Sequence, residues 1–539
     1  MKNILLIILS TIFIISVKPS QAQNSGINKM SSGGKLKPLQ AIMDIRHYTI
    51  ALDVDIQEQT INGYTTIDLI LSKPTDTLLF DLVHLLTVKK ITTNNKNSSF
   101  FQKGDFVYLT SKLGFQAGKQ SIKIEYGGKP PVAVNPPWAG GFSWKTDVNN
   151  NPWVAINCQF EGGKVYFPSK DHPSDEPNEG VDLFITVPKG LTVAAPGLLK
   201  NIKNNNNKTT FHWKTNYTIS NYCIVFNVGK YNVFNRNYTT NEGNVVPIQL
   251  YTLDPDTKKA KYLLDIKERD SHILEKYFGE YPWVKEKIGI AEVPNSGMEH
   301  QTMITFKDNL KFTPIPGTLD YADVYFHEFA HEWWANKVTN KDWAHMWIQE
   351  GITTYATALF YREVAGESGY DSIMNNFRMT IKNIKPLVQG EEINTVDTYS
   401  GDIYVKGAFF MHTLRYILGD NIFFPTLKEL ATDEKYTYNN FVTTEDVEKL
   451  FSRKYGKDLK PMFDFFLRTT NRLEINITQT STDEYWIQSI NSPMNLPIDI
   501  LSDTGKKQII LDNKGLKIKS KTMPIIDSNG YYFKKVVLL

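Results

Sequence analysis

Alternating apolar and polar positions dominate the first part of the chain. Residues 47–55 and 65–71 alternate with a period of two, which is typical of strands that bury one face. Clusters of turn-forming residues interrupt the alternation, for example at residues 147–152 and 204–207. The pattern therefore predicts an N-terminal antiparallel β domain over residues 23–245.

Helical spacing replaces this alternation in the middle of the chain. Apolar residues recur at intervals of three and four over residues 257–278, and further helical stretches follow up to residue 467. Short alternating runs return after residue 471. The pattern predicts a multidomain protein, with a mainly helical α/β domain over residues 246–471 and a small β-sandwich-like domain over residues 472–539.

The first 22 residues have the layout of a cleaved secretory signal peptide. Lys2 precedes an apolar block at residues 4–17, and Ser20 and Ala22 supply the small residues of a cleavage site. A retained membrane anchor is the alternative, but such a block is short for crossing a bilayer. The pattern predicts export to the periplasm or the extracellular space. No later run predicts a stable membrane span.

Composition narrows the class of protein. Hydrophobic residues make up 41% and charged residues 22% of the 539 residues, which excludes an intrinsically disordered chain. The net charge is only +3 and no basic run is interleaved with aromatic residues, so no nucleic-acid partner is predicted. Cys158 and Cys223 form either one disulfide or two buried thiols, and they are too few for a thiolate zinc site.

A metal-binding motif lies in the predicted middle domain. His327 and His331 flank Glu328 in the pattern HExxH, inside residues 319–338, a run without glycine or proline that favours a helix. Positions i and i+4 share a helix face, so both imidazoles can bind one cation while Glu328 lies beside it. The motif predicts one Zn²⁺ per chain with an open position for water. Glu332 points off this face and is interpreted as a polar helix residue.

Glu350 is the predicted third ligand of this ion. It lies nineteen positions after His331 and precedes a helical segment at residues 352–364. Within that segment the next acid is Glu363, so Glu350 has no nearby competitor. Two histidines simply packed beside the neighbouring tryptophans remain the alternative interpretation of the motif.

The order His327-Glu328-x-x-His331, eighteen intervening residues and Glu350 resembles the zinc signature of the M1 family of metallo-aminopeptidases, which includes aminopeptidase N and leukotriene A4 hydrolase. The resemblance covers most of residues 40–475. It implies a thermolysin-like catalytic domain, one zinc ion, and Glu328 as the general base. It also implies a short form of the family, without the large helical C-terminal domain and with a more open cleft.

A second motif resembles the family's Gly-Ala-Met-Glu-Asn exopeptidase segment. It reads Ser296-Gly297-Met298-Glu299-His300, and it departs from the family pattern at Ser296 and His300. The resemblance implies that Glu299 binds the free α-amino group of a peptide, and that Gly297, Met298 and His300 lie along the substrate. A carboxylate facing an ammonium is a strong, charge-assisted contact.

Two further segments resemble the family. Tyr404 opens a Tyr-Val-Lys-Gly-Ala segment, which implies that its hydroxyl stabilises the oxyanion, whereas Tyr399 is a poorer candidate for that role. Gln159 and Glu161 stand in a Gln-Phe-Glu segment of the first domain. The resemblance implies that Glu161 is a second ligand of the substrate amine and that Gln159 lines the pocket for the first side chain.

The sequence thus predicts a zinc-dependent aminopeptidase that removes the N-terminal residue from peptides with a free N-terminus. A zinc metalloendopeptidase is one alternative, because it shares the zinc triad. A noncatalytic, secreted peptide-binding protein on the same fold is the other. The oligomeric state is left open.

Overall fold

A computed structural model describes residues 30–539 of the protein, so the signal peptide predicted at residues 1–22 lies outside the described residues. An eight-stranded sheet forms the base of the first domain. Neighbouring strands are antiparallel, except that Met43–Asp55 runs parallel to Val181–Pro188. In sheet order the strands are Leu198–Asn205, Lys208–Thr215, Val181–Pro188, Met43–Asp55, Thr60–Leu71, Gly118–Gly128, Leu86–Thr93 and Lys96–Asn97.

Side chains alternate across this sheet as the sequence pattern predicts. Ile50, Leu52 and Val54 are buried on one face of their strand, while Ala51 and Asp53 between them are partly exposed. Two smaller sheets complete the domain. One contains Thr75–Asp81, Phe106–Phe115 and Ser99–Lys103, and the other contains Thr192–Ala194, Asn227–Gly229, Pro152–Asn157 and Gly141–Thr146.

Helices dominate the middle domain. Nine α-helices occur within residues 30–539, and eight of them follow residue 246. They are α1 (Pro38–Ala41), α2 (Thr257–Phe278), α3 (Asp323–Ala330), α4 (Met346–Thr380), α5 (Thr395–Thr398), α6 (Asp402–Leu418), α7 (Asp420–Thr432), α8 (Thr444–Tyr455) and α9 (Lys460–Leu467). Single 3₁₀ turns occur at Gly163–Val165, Asn221–Cys223, Trp343–His345 and Glu434–Tyr436.

The strands of the middle domain form one mixed sheet and two short pairs. The sheet contains Asn232–Thr239, Val245–Thr252, Ile288–Glu292 and Ile304–Phe306, and the pairs join Phe312–Thr313 to Tyr321–Ala322 and Thr339–Asn340 to Phe441–Val442. The domain boundary predicted at residue 245 falls inside the first hairpin of this sheet. The domain boundaries stay predictions.

Helix α2 has the bounds that the apolar spacing predicts. Asp256 caps its N-terminus by accepting a hydrogen bond from the Lys258 backbone N–H at 2.8 Å. Gly279 ends it with a φ of 84°, a conformation that glycine adopts without strain. Local sequence signals alone account for both ends of this helix.

Helix α3 is shorter than the run without glycine or proline predicts. It ends at Ala330, with His331 at the C-cap, and the following residues form turns. Trp333 and Trp334 are fully buried in these turns, and both contact Phe278 of α2. On a continued helix these neighbouring side chains would point about 100° apart, whereas in the turns both rings reach Phe278.

Helices α4 and α6 pack closely enough to bring their polar residues together. A Cβ atom on Gly351 of α4 would lie 2.7 Å from the Cα atom of Gly407 of α6. Only glycine allows this approach, since any larger side chain would clash with backbone. The contact places Glu350, which precedes Gly351, close to the N-terminal half of α6, which carries Tyr404.

Two sheets at the C-terminal end of the chain pack against the other end of α6. Tyr531 stacks on Tyr416 at 3.9 Å between ring centroids, and its carbonyl accepts a hydrogen bond from Thr413 at 2.7 Å. One sheet contains Leu516–Lys519, Glu484–Ser489, Leu473–Ser481 and Lys534–Leu538, and the other contains Gly505–Leu511, Leu496–Ser502 and Ile525–Ile526.

These elements confirm the predicted fold class, with a β-rich first domain, a mainly helical middle domain and β strands at the C-terminal end. Cys158 and Cys223 are buried free thiols, so they form no disulfide with each other. Within residues 30–539 no helix has the length and apolar character needed to cross a bilayer.

Candidate active site

The structure brings the three predicted zinc ligands together. Nε2 of His331 lies 3.1 Å from Nε2 of His327 and 3.3 Å from Oε2 of Glu350, and Nε2 of His327 lies 3.6 Å from the same oxygen. Among the His, Cys, Asp and Glu residues between 30 and 539, this is the one group of three or more that could hold a metal ion. Helix α3 with its C-cap supplies the histidines, and α4 supplies the carboxylate.

The hydrogen bonds around the triad fix which atoms face the ion. Nδ1 of His331 donates to the carbonyl of Trp334 at 2.8 Å, so its Nε2 lone pair points toward Glu350 and His327. Oε2 of Glu350 is buried and accepts no hydrogen bond from the described residues. Acceptor atoms that converge without donors fit a bound cation, and two imidazoles with one carboxylate are a catalytic zinc set.

Charge in this cluster also favours a cation. Burial alone would raise the pKa of Glu350, but His331 and His327 lower it to about 2. Burial alone would lower the pKa of His331, but Glu350, Glu299 and Glu328 raise it to about 10. The surrounding carboxylates therefore stabilise positive charge at the point where the ligand atoms meet.

Glu328 lies beside the triad and beneath the exopeptidase-like segment. A Cβ atom on Gly297 would lie 2.8 Å from Cγ of Glu328, so glycine at this position allows the two motifs to touch. Burial, with Glu299 and Glu350 adding to it, raises the pKa of Glu328 well above its ordinary value. A carboxyl group with a raised pKa next to a metal site is suited to accept and release a proton.

Tyr404 faces the same site from α6. Its ring centroid lies 6.0 Å from that of His327, and its hydroxyl lies 3.1 Å from the hydroxyl of Tyr399. Burial, together with the negative charge of Glu350, raises the pKa of Tyr404 well above its ordinary value. Tyr404 is therefore a neutral phenol, which can donate a hydrogen bond.

Glu299 is buried and held by three donors on one oxygen. Its Oε1 accepts hydrogen bonds from Gln159 Nε2 at 2.6 Å, Tyr222 Oη at 2.9 Å and Gln349 Nε2 at 3.0 Å. These three side-chain contacts, all made to Oε1, orient the carboxylate. The resemblance places Gln159 in the pocket for the first side chain. The Gln159 side-chain amide also donates a hydrogen bond to Glu299.

Glu161 offers a second carboxylate from the first domain. Its Oε1 accepts a hydrogen bond from the Gly140 backbone N–H at 2.8 Å, while its buried Oε2 has no donor among the described residues. Burial raises the pKa of Glu161 to about 7. A cationic group next to Oε2 would stabilise the charged form of this carboxylate.

The other residues of the exopeptidase-like segment are buried within the protein. Met298 is 3% exposed, and its carbonyl accepts a hydrogen bond from the Thr305 backbone N–H at 2.9 Å. His300 is fully buried, and neither of its ring nitrogens has a hydrogen-bond partner among residues 30–539. Burial lowers the pKa of His300 to about 3, so its ring is neutral.

Sequence reasoning misread Glu332, which is no ordinary polar helix residue. It is fully buried beyond the end of α3 and accepts hydrogen bonds from four donors. These donors are Trp283 Nε1 at 2.7 Å, Thr302 N at 2.9 Å, Asn336 Nδ2 at 3.1 Å and Tyr281 Oη at 3.4 Å. The contacts join the end of the zinc-ligand helix to the loop that follows Glu299.

Tyr222 and Gln349 were also missed, since their contacts to Glu299 span 77 and 50 residues of sequence. No local spacing reports a contact of that length. The one available signal for Gln349 is its position immediately before Glu350.

Family models match both large domains of the chain. The model described as "Peptidase M1 N-terminal domain" matches residues 45–223, and the model described as "Peptidase family M1 domain" matches residues 262–466. The second range contains the triad, Glu328, Glu299 and Tyr404, and the first contains Gln159 and Glu161.

The curated relatives of this chain include aminopeptidases and a hydrolase, and their sequence identity to the chain is low. A leucyl aminopeptidase of Saccharolobus solfataricus is 23% identical over 78% of this chain and 53% of its own length. A leukotriene A-4 hydrolase of Xenopus laevis is 24% identical over 78% of this chain and 70% of its own length. The chain therefore spans about half the length of the first of these relatives.

Solved structures share the fold. An M1 zinc metallopeptidase from Deinococcus radiodurans is 22% identical and superimposes with a TM-score of 0.66 over 81% of this chain and 96% of that chain. This likeness confirms the arrangement of a β-rich first domain and a helical second domain.

Proposed function

Because the chain belongs to peptidase family M1, we propose that it is a zinc-dependent aminopeptidase that removes the N-terminal residue from peptides. The observation that carries the proposal is the pair of buried carboxylates, Glu299 and Glu161, near a complete zinc triad. Glu161 Oε2 has no donor among residues 30–539, and the three side-chain donors on Glu299 all bind its Oε1. Together the two carboxylates suit one ammonium group, which marks the start of a peptide chain.

The zinc triad and Glu328 have different roles in hydrolysis: the triad holds the metal and Glu328 transfers the proton. Zn²⁺ bound by His327, His331 and Glu350 would polarise the scissile carbonyl and lower the pKa of the attacking water. Glu328 accepts the proton of that water and then donates it to the nitrogen of the leaving peptide. Its raised pKa suits both steps, since the group must gain and release a proton in each turnover.

Tyr404 and the amine-binding carboxylates position the substrate. The Tyr404 hydroxyl donates a hydrogen bond to the carbonyl oxygen as negative charge develops there, a contact worth about 10²- to 10³-fold in rate. Glu299 and Glu161 bind the ammonium and so set the cleaved bond one residue from the N-terminus. Endopeptidases need no such anchor, because their substrates continue on both sides of the cleaved bond.

We expect that blocking the substrate amine will remove the contribution of Glu299 and Glu161 to substrate binding. Acetylation removes the positive charge, so kcat/KM for an N-acetyl aminoacyl amide should fall at least about 100-fold below that of the free-amine substrate. Glu299→Gln should lower kcat/KM for the free-amine substrate about 10- to 100-fold. It should therefore reduce the ratio of kcat/KM between the free-amine and the N-acetyl substrate. Steady-state kinetics with both substrates measures the two effects.

Glu292→Gln is the matched control for this experiment. The Glu292 carboxylate accepts hydrogen bonds from Thr252 and Leu253 rather than from the Glu299 cluster, so the ratio of the two substrates should not change. Equal cleavage of both substrates by the unmodified protein would support a zinc metalloendopeptidase instead. Absence of both zinc and hydrolysis in zinc-supplemented buffer would support a noncatalytic peptide-binding protein.

The sequence of residues 1–22 supports export to the periplasm or the extracellular space as the setting of this activity. In a Gram-negative host, the full-length protein should appear outside the cytoplasm with Gln23 at its N-terminus. Ile8→Arg interrupts the apolar block and should keep the protein in the cytoplasm. Cell fractionation and N-terminal sequencing measure both outcomes. An unprocessed, cytoplasmic wild-type protein would contradict the proposal.

A further inference from the structure

A chain of three hydrogen-bonding groups runs from the first domain to the active site. Trp138 lies in the loop between the strands Gly118–Gly128 and Gly141–Thr146, and its Nε1 donates to the hydroxyl of Tyr399 at 2.7 Å. The Tyr399 hydroxyl lies 3.1 Å from the hydroxyl of Tyr404. Trp138 and Tyr399 thus connect the β domain to the residue assigned to the oxyanion.

The indole donor of Trp138 is compatible with a chain that runs from Trp138 to Tyr404, although either tyrosine hydroxyl could be the donor in the contact between them. An indole N–H can only donate, so it occupies one lone pair of the Tyr399 oxygen. Tyr399 can then donate its own proton to the Tyr404 oxygen. When a lone pair of the Tyr404 oxygen accepts the Tyr399 proton, the Tyr404 proton is free to point at a substrate oxygen. Hydrogen bonds in such a series polarise one another, which makes the last O–H a better donor.

Packing holds the middle member of the chain in place. The Tyr399 ring meets the Phe160 ring edge to face, at 4.8 Å between centroids. The Phe160 carbonyl accepts a hydrogen bond from Thr395 Oγ1 at 2.6 Å, four residues before Tyr399. The segment that carries Gln159 and Glu161 therefore also fixes the position of Tyr399.

The loop that carries Trp138 is joined to the amine-binding carboxylate as well. Gly140, two residues after Trp138, donates its backbone N–H to Glu161. Ala139 N donates to the Asn135 carbonyl at 2.8 Å, which closes a turn around Trp138. The indole is thus held by a loop whose position depends on the same carboxylate that is proposed to bind the substrate.

We propose that Trp138 and Tyr399 are positioning residues that orient the Tyr404 hydroxyl toward the oxyanion. The first domain then contributes to the chemical step as well as to amine binding. This inference rests on the proposed aminopeptidase function, and specifically on the role of Tyr404. Neither residue needs to contact the substrate for this role.

Kinetics of phenylalanine variants test the proposal. Tyr399→Phe removes the donor to Tyr404 and should lower kcat about 5- to 10-fold, with KM changed by less than about twofold. Trp138→Phe should lower kcat by a smaller factor of about 2 to 5, because it acts through Tyr399. Zinc content should stay at one per chain in both variants.

A double-mutant cycle separates positioning from general structural damage. Tyr404→Phe should lower kcat about 10²-fold by itself, and adding Tyr399→Phe should then cause no further loss, because the hydroxyl that it orients is gone. Two variants serve as matched controls with kcat unchanged. Trp144→Phe removes an indole whose Nε1 has no partner within the described residues, and Tyr416→Phe removes a hydroxyl at the far end of α6.

Three outcomes would overturn the proposal. Multiplicative losses in the double variant would show that Tyr399 acts independently of Tyr404. A raised KM with unchanged kcat would make Tyr399 a substrate-binding residue instead. Full kcat in Tyr404→Phe would rule out the proposed role of Tyr404, and with it the positioning role of Trp138 and Tyr399. A wild-type protein without a preference for free-amine substrates would count against the aminopeptidase function alone.

Discussion

Glu328→Gln should lower kcat by about 10³-fold and leave the zinc content at one ion per chain. Glutamine keeps the size of the side chain but cannot take a proton from water or return it to the leaving nitrogen, and general acid–base catalysis contributes about 10² to 10⁴ in rate. The side chain lies beside the triad rather than in it, since His327, His331 and Glu350 supply the three ligand atoms. Turnover of an aminoacyl amide and metal analysis of the same sample measure the two effects.

Glu363→Gln is the matched control for this experiment. Glu363 lies on α4, as Glu350 does, but its carboxylate pairs with Lys276 and Tyr277 on the outside of the domain. Its kcat should equal that of the wild type. A Glu328→Gln variant with wild-type turnover would assign the base to another residue, whereas a variant without zinc would show that Glu328 helps to hold the metal.

Removal of zinc should abolish hydrolysis, and His331→Ala should make this loss permanent. The three ligand atoms lie within 4.8 Å of one another, so the loss of one imidazole leaves an incomplete set and a weak site. A chelator should reduce wild-type activity below about one thousandth, and added Zn²⁺ should restore it. In His331→Ala, added Zn²⁺ should restore nothing.

Thermal unfolding provides a second measurement of this effect. Zinc joins α3 to α4, so binding should raise the melting temperature, by the equivalent of about 2.7 kcal/mol at a free zinc concentration of one hundred times Kd. His331→Ala should lose this response, and His84→Ala should keep it, since His84 is exposed and pairs with Asp105. Chelator-resistant activity in the wild type would contradict a catalytic role for zinc.

The elements that sequence patterns predicted best are those that local interactions determine. Helix α2 runs from Thr257 to Phe278 as its apolar spacing predicts, because Asp256 and Gly279 mark its ends. The strand Met43–Asp55 buries alternate side chains as predicted. Its parallel pairing with Val181–Pro188 could not be predicted, because a period of two reports a buried face but not a neighbour.

Helix α3 shows where local signals fail. Residues 319–338 contain no helix breaker, yet the helix ends at Ala330, and Trp333 and Trp334 are buried in the turns that follow. The same turn carries Glu332 into the interior, where it accepts four hydrogen bonds instead of facing solvent. His331 keeps a helical conformation at the C-cap. The two histidines therefore still lie one helical turn apart, although the helix ends earlier than predicted.

The sequence by itself indicated which residues are candidates for the chemistry. Two histidines four positions apart, Glu328 between them and Glu350 downstream form a recognisable order, because metal ligation demands particular atoms at particular spacings along a helix. Only the tertiary structure decided how those residues are held. Two of the three donors on Glu299, Gln159 and Tyr222, come from the first large domain and reach Glu299 only when the two large domains pack together, and no local spacing encodes such a meeting.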